Sequence, residues 1–438
     1  MSDYIYILEN HLSADQSKVV REVQAAAGGS NLNLFLTGGA MRDMLAGFPI
    51  RDLDFVVEGP APKLAKTVSE KTGAKIISSD DNRKSAELVF PGGVTAQIAM
   101  SRQEKYGRAG AKPLVSPATI QEDLRGRDFA CNAVALSLNK ASRGLLLDPM
   151  NGLADIERRE LRAISVYGFY DDPSRLLRLI RLSVRLGFAI EARTELQVQN
   201  ARLAEVEKSI PPHMFAEELR KIGVEDNPSE ILKALDEAGL VAMFVAPLTG
   251  PKLNLQGLAK LEKLARLLPD DPKTRSARIG PFFWVLAEKL SPKEKQALLK
   301  GAELSKTDAD AWQKLDPKVK KLETALRSPR IRKPSQIYQI VSAAAPEEVE
   351  LLLYRSELKP VQERLRNYFQ KYLPLALEIT PEEFAALEGK PGTPKYQKAR
   401  EAFVANRLDR RPPRVAPESA PPPPPAQEPA FGRGRSTR

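Results

Sequence analysis

The chain of 438 residues is long enough for about two to four domains with substantial cores. Its 67 Lys and Arg against 56 Asp and Glu give a formal net charge of +11, an excess that fits a polyanionic partner, although a membrane surface would attract it too. The single cysteine, Cys131, excludes an internal disulfide, no cluster has zinc-ligand spacing, and His11 and His213 alone are a poor basis for histidine-based metal hydrolysis.

The opening MSDYIYILENHL has neither the basic leader nor the apolar core of a signal peptide, and no apolar run reaches the roughly 18 residues of a membrane span. A soluble cytoplasmic protein is expected, with no membrane partner and no obligatory protein partner evident. Residues 14–27 place Val19, Val20 and Val23 at helical spacing behind Ser13, which can cap the helix, and Gly28-Gly29 ends the pattern. That helix should back the first strand.

The stretch from Leu34 to Gly59 reads as strand, glycine turn, helix, strand: an apolar run from Leu32 to Leu36, then Gly38-Gly39, a helical segment from Met41 to Ala46, and a second apolar run at Phe55, Val56 and Val57. Side chains alternate faces along a strand, so Asp52 and Asp54 project the same way. Two adjacent like charges need compensation, and a divalent cation bound through hard oxygens, with magnesium the obvious choice, supplies it. An isolated Asp-x-Asp is more often a solvated strand end. Here Gly38-Gly39 lets backbone N–H groups approach a phosphate closely at the start of a helix, and Arg42 lies one turn further on.

After the aspartates, PAPKLAKTVSEKTG is predicted helical, and AKIIS, AELVF and VTAQIAM read as strands with Pro91-Gly92-Gly93 as a tight turn. The result is a small mixed sheet with helices on one side. In EDLRGRDFACNAVALSL, Arg127 offers a planar fork for phosphate or ribose oxygens and Asp128 beside it can hold its orientation. Asp148-Pro149 and Asn151-Gly152 initiate turns and are assigned structural work.

In DDPSRLLRLIRLSVRLGFAIE, Asp172 can cap a helix with Pro173 in its first position, and apolar residues recur at Leu177, Ile180, Val184 and Phe188. Arg175, Arg178, Arg181 and Arg185 then form a guanidinium row along one face, and such a row needs anions, which a triphosphate or an RNA backbone would supply. Beyond residue 225 the pattern is helical throughout, punctuated by prolines, with no internal repeat. From Arg411 onward the proline-rich chain cannot build a core and is expected to be disordered, its basic GRGRSTR end adding nonspecific RNA affinity.

Gly38-Gly39, Arg42-Asp43 and Asp52-x-Asp54, followed by Arg127-Asp128-Phe129 with Asn132-Ala133 and by Asp172 and Arg175, resemble the signatures of the polymerase-beta-type nucleotidyltransferases, specifically the CCA-adding tRNA nucleotidyltransferases and bacterial poly(A) polymerases. The resemblance implies an α+β catalytic head (residues 1–160), a helical neck with the nucleotide-selecting helix (161–225), a helical RNA-binding body (226–325) and a helical tRNA-binding tail (326–410). It implies Asp52 and Asp54 as ligands of two Mg2+ ions, with Arg127 as a further catalytic residue. Gly38, Gly39, Arg42, Arg127, Asn132, Arg178 and Arg181 become nucleotide contacts, and Asp172 with Arg175 reads the base edge of CTP or ATP. The implied reaction is template-independent transfer of CMP and AMP to the 3′ end of tRNA. Poly(A) synthesis, CC-only or A-only addition, and an RNA-binding homologue without catalysis are the alternatives.

Some positions depart from that pattern. Gln97 stands where the family has an acidic residue, ahead of the retained Arg102, Glu104 and Tyr106; Gly126 replaces an arginine, Ala130 a threonine, and His213-Met214 a Glu-Arg pair before Glu218-Leu219. Altered bracing of the arginine helix is expected from the last change. Gly389-Lys390-Pro391-Gly392 matches a glycine-proline turn of the family's tail that either touches the tRNA backbone or joins two helices.

Overall fold

The computed structural model describes residues 3–269, 271–387, 390 and 392–410; Gly389 and Pro391 of the glycine-proline turn and the whole stretch from Arg411 lie outside the described residues. Two helices, α1 (Asp3–His11) and α2 (Ala14–Gly29), open the chain. Ser13 caps α2 as expected, in a reciprocal capping box with Gln16 that satisfies two end amides at once. The head continues β1 (Asn33–Thr37), α3 (Gly38–Leu45), β2 (Leu53–Glu58), α4 (Ala61–Thr72), β3 (Lys75–Asp80), β4 (Ser85–Val89), β5 (Thr95–Met100), the hairpin β6 (Arg102–Lys105) and β7 (Leu114–Pro117), α5 (Ile120–Arg125), β8 (Ala135–Ser137) and β9 (Leu146–Leu147).

The main sheet has the order β3-β4-β5-β2-β1-β8-β9; β2 and β5 run parallel and every other pair antiparallel. One face buries Leu34, Leu36, Leu53, Phe55, Val57 and Ile98 against Val19, Val20 and Val23 of α2 and Leu64, Ala65 and Val68 of α4. The alternation of strand side chains sends Phe35 and Val56 to the opposite face, where Ile120 and Leu124 of α5 cover them. Helices therefore pack on both faces, although α2, α3 and α4 all lie on the first.

Next come α6 (Gly152–Arg158), a small parallel pair made by β10 (Glu160–Leu161) and β11 (Ala189–Ile190), α7 (Gly168–Asp171), α8 (Arg175–Leu186), α9 (Ala192–Leu203), α10 (Pro212–Gly223) and α11 (Pro228–Glu237). Asp148 accepts the Gly152 and Leu153 amides at 2.7 and 2.9 Å, a helix-start role as expected for this turn. Helix α8 is a wedge between two cores. Leu176, Leu179, Leu182 and Leu186 pack with Phe129, Phe169 and Phe188, whereas Leu177, Ile180 and Val184 pack into the helical body. Asp172 caps as expected, its carboxylate on the amide and hydroxyl of Ser174 (3.1 and 2.5 Å), but the regular α-helix starts only at Arg175 because the first turn is closed by i→i−3 backbone bonds from Arg175, Leu176 and Leu177.

The remaining described chain is helical, as expected. A single apolar cluster runs from Leu177 through Phe282, Phe283 and Leu326 to Leu352 and Tyr368, so no break in the core falls near residue 325, where the sequence places a boundary between body and tail. Among the described residues no helix is long and apolar enough to cross a membrane.

Candidate active site

Strand β1 delivers the chain to Gly38, which takes φ +64°, and β2 lies beside it. A Cβ at Gly38 would lie 3.1 Å from both Arg127 Nη1 and Asp54 Oδ2, and one at Gly39 3.1 Å from Asp54 Oδ2, so the two glycines leave the room that the carboxylate and guanidinium occupy. The Gly39 amide donates to Asp54 Oδ2 at 2.9 Å; in this state that N–H serves the aspartate, whereas the sequence reading has it facing a phosphate. Asp52, exposed at the edge of β2, accepts a short hydrogen bond from the Thr95 hydroxyl.

Burial first, and then the neighbouring Asp52 charge, push the Asp54 carboxyl up to about 6, against the pull of Arg127 and the Gly39 amide. Among the described residues neither aspartate forms an ion pair, and no third acidic, histidine or cysteine side chain joins them in a ligand group. Two close carboxylates whose mutual repulsion is not cancelled by a salt bridge, offering hard oxygens only, fit a magnesium ion. Gln97 is the register partner of Asp54 across β2 and β5 and is exposed, so an amide stands beside the pair where the family has an acid.

Arg127 is fixed by Asp123, which accepts from its Nε and Nη2 at 3.1 and 2.9 Å, while Nη2 also reaches Thr37 Oγ1 at 3.2 Å and Nη1 points past Gly38. Burial works to lower its pKa, yet the adjacent Asp123 carboxylate, with Asp54 and Asp128, raises it further, so the guanidinium is permanently charged. The i,i+4 spacing of Asp123 and Arg127 is the signal of this pairing in the sequence.

The other expected contacts prove to be tied to one another. Arg42 is buried, with Nε and Nη2 on Asp43 Oδ1 (2.9 and 2.7 Å) and Nη1 on Asn132 Oδ1 (2.7 Å). Asn132 in turn donates to Asp128 Oδ1 at 3.0 Å, and Asp128 Oδ2 takes Arg178 Nη1 at 2.7 Å. Asp128 therefore orients Asn132 and Arg178, not Arg127. Burial acts to raise its pKa, but Arg178 and Arg175 hold it far below the usual carboxylate range.

Arg178, Arg181 and Arg185 of the α8 row find anions within the protein, so these three do not need the triphosphate or RNA backbone that the sequence leads one to expect as counter-charge. Arg178 also approaches Glu218 (3.6 Å), Arg181 pairs with Glu218 (2.6 Å) and Glu225 (3.1 Å), and Arg185 pairs with Glu225 (3.1 Å) and Asp43 (2.6 Å). Together with Arg42, Asn132 and Asp128 these contacts close a ring from the glycine turn through the neck and back. Arg181, expected on the nucleotide, is buried with its guanidinium taken up by this ring. Glu218 supplies the bracing from α10 that the His213-Met214 replacement left in question, and His213 lies exposed at the start of that helix.

Asp172 and Arg175 do lie together, Arg175 Nε 3.8 Å from Asp172 Oδ2. Arg175 is nearly buried against Gly168, its Nε has no hydrogen-bond partner, and Nη2 reaches only the Gly126 carbonyl at 3.4 Å. It thus keeps donor capacity unspent. On the hairpin beside it, Glu104 binds Arg83 (3.0 Å) and Arg102 (2.8 Å) and accepts from the Tyr106 hydroxyl (2.6 Å); burial opposes ionisation, but these cations pull Glu104 down to about 2.

An α+β head with an aspartate pair beside a glycine turn, carried on a helical arm, defines the nucleotidyltransferase class. Residues 34–162 match the family model described as the poly A polymerase head domain. The CC-adding tRNA nucleotidyltransferase of Deinococcus radiodurans is 33% identical over 280 residues, 63% of this chain and 72% of that protein. The A-adding tRNA nucleotidyltransferase of Aquifex aeolicus is 28% identical over 344 residues, 78% of this chain and 40% of that protein. The solved structure titled CCA-adding enzyme apo form II superposes with a TM-score of 0.52 at 22% identity, covering 93% of this chain and 95% of that one, a likeness of fold. The chain belongs to the tRNA nucleotidyltransferase family. It spans about half the length of the A-adding relatives it matches.

Proposed function

We propose that this chain transfers CMP and AMP from CTP and ATP to the 3′ end of tRNA without a nucleic-acid template. The observation that carries the reading is the pairing of Asp52 and Asp54 beside Gly38-Gly39 with Arg127 aimed across the turn. The carboxylates would hold magnesium, two ions in the family's manner, which when bound supplies Lewis-acid activation of the RNA 3′-hydroxyl and charge neutralisation on the departing pyrophosphate. Arg127, held by Asp123, balances charge on the triphosphate. Asp172 accepts from the exocyclic amino group of C or A, and the guanidinium of Arg175, 3.8 Å from that carboxylate, turns toward the base's ring and carbonyl acceptors when nucleotide is bound. Asn132 and Asp128 hold the site's walls against Arg42 and Arg178, which support the pocket from behind.

The test is incubation of tRNA lacking its 3′ CCA, and of the same tRNA ending in C and in CC, with labelled CTP, labelled ATP, or both. Full CCA addition, dependent on magnesium and lost in Asp54→Ala, is the expected result. A second reading, addition of CC alone or A alone, is motivated by relatives that carry those two names. It predicts that a CC-adding chain extends the tRNA lacking CCA and the one ending in C and stops at CC, whereas an A-adding chain extends only the one ending in CC. Long A tracts without use of CTP would point to poly(A) synthesis, and no incorporation at all would leave an RNA-binding homologue.

A further inference from the structure

Arg51 immediately precedes Asp52, in the loop between α3 and β2, yet its side chain leaves the head. Its Nη1 makes a short ion pair with Glu225 and its Nη2 lies 2.6 Å from Asp226 Oδ2, both in the turn between α10 and α11. The second carboxylate oxygen of Asp226 takes Arg278 Nη1 at 3.1 Å, and Arg278 leads into the buried body helix Ile279–Leu286. Glu225 is buried and is shared with Arg181 and Arg185 of α8. One guanidinium thus joins the residue before Asp52 to both the neck helix and the body.

Asp52 has little else to hold it. Its carboxylate is exposed and among the described residues hydrogen-bonds only the Thr95 hydroxyl, and the loop before it is otherwise anchored by Gln16 Nε2 donating to the Ile50 carbonyl at 2.8 Å. On its far side Asp52 is fixed by Leu53 of β2, buried and paired with Ala96, so Arg51 is the link that ties the near side of Asp52 to the body. From this geometry we propose that Arg51, with Asp226, is a positioning pair: the seat of the body against the head helps set the placement of Asp52 beside Asp54, and so the affinity of the carboxylate pair for a divalent ion. This rests on the proposed nucleotidyl transfer and adds to it a residue outside the site. Asp226 is the informative partner because its side chain is 64% exposed and lies outside the buried ring, so its loss leaves the neck intact.

The experiment uses the full chain, with Arg51→Gln, Asp226→Asn, the double variant and Arg51→Lys. Manganese, as a paramagnetic probe, is titrated in the absence of nucleotide and RNA and followed by loss of the free-ion resonance; turnover with tRNA and unfolding midpoints are measured alongside. Arg51→Gln and Asp226→Asn are expected to weaken manganese binding, on the order of tenfold for the former. The double variant should bind no worse than Arg51→Gln, and Arg51→Lys should recover part of the loss. The maximal rate should fall with the apparent KM for tRNA unchanged. Manganese titrations that overlay the parent's, with only the unfolding midpoint lowered, would make Arg51 a plain brace and overturn the proposal. A parent that binds manganese but transfers no nucleotide would overturn the functional reading beneath it, and the two failures are told apart by the parent's turnover.

Discussion

Asp54 and Gln97 are paired residue to residue across the parallel β2 and β5 strands, with the Gln97 side chain exposed beside the aspartate pair. An amide oxygen can coordinate magnesium but brings no charge, so an ion held there would be balanced by two carboxylates alone. Gln97→Asp would add a third anion next to Asp54, whose carboxyl already sits near 6. The expected outcome is a lower magnesium concentration for half-maximal nucleotide transfer. A magnesium titration that superimposes on the parent's would place residue 97 outside the ion's reach.

The Arg181–Glu218 contact predicts a loss of stability, not of substrate binding. Both groups are buried and paired at 2.6 Å, and burial of Glu218 is offset by Arg181, Lys221 and Arg178, which hold it far below the usual range. Removing one partner of such a pair leaves an uncompensated buried charge, at a cost of about 3 kcal/mol given the cations that remain. Arg181→Met should lower urea unfolding stability by that order, while the KM for CTP or ATP of the folded fraction stays as in the parent. An unchanged unfolding curve with a raised triphosphate KM would make Arg181 a phosphate contact after all.

Asp172 predicts the converse. Its carboxylate caps the Ser174 amide, a contact worth about 1 kcal/mol, so Asp172→Ala is expected to fold. Selection of CTP and ATP over UTP and GTP should fall by about tenfold or more, since the acceptor for the exocyclic amino group is gone. Competition assays with all four triphosphates check it. Discrimination equal to the parent's would remove Asp172 and Arg175 from base selection.

Much of the head was legible because local patterns there coincide with long-range ones. The apolar runs from Leu32 to Leu36 and at Phe55, Val56 and Val57 mark the strands, Ser13 marks a helix start, and Gly38-Gly39 with Asp54 marks the turn that the structure builds. The spacing of Arg175, Arg178, Arg181 and Arg185 correctly gathered them along one helix, but the carboxylates that answer them come from Asp43, Asp128, Glu218 and Glu225, and no local spacing reveals partners drawn from three other parts of the chain. Arg51 was invisible for the same reason. In the body, helical period tells which face of each segment is buried but not against what, so a core continuous from Leu177 to Tyr368 could not be read from it.

Glu350 is a buried carboxyl of the body that predicts a pH dependence of stability. It is 2% exposed, lines a cavity of about 90 Å³ with Glu225, Asp226, Glu262, Arg266 and Arg278, and is pushed up to about 7 by burial and by Glu347, with Arg278 pulling the other way. A carboxyl whose pKa is higher in the folded than in the unfolded chain binds its proton more tightly when folded. Its contribution to stability is complete below the ordinary value of 4.5 and is lost as pH rises through about 7, a swing on the order of 3 kcal/mol. The carboxylates held low, Glu104, Asp128 and Glu218, lose their contribution only below the ordinary range, so they do not mask this window. Asp54, raised to about 6, shares the window, and the comparison with a Glu350 variant removes its share. Glu350→Gln keeps the shape without the charge, and it should be more stable than the parent at pH 8 and close to it at pH 5. Urea unfolding at both values reads the difference directly, and equal stabilities at pH 8 would mean that Glu350 ionises in the folded protein at no cost.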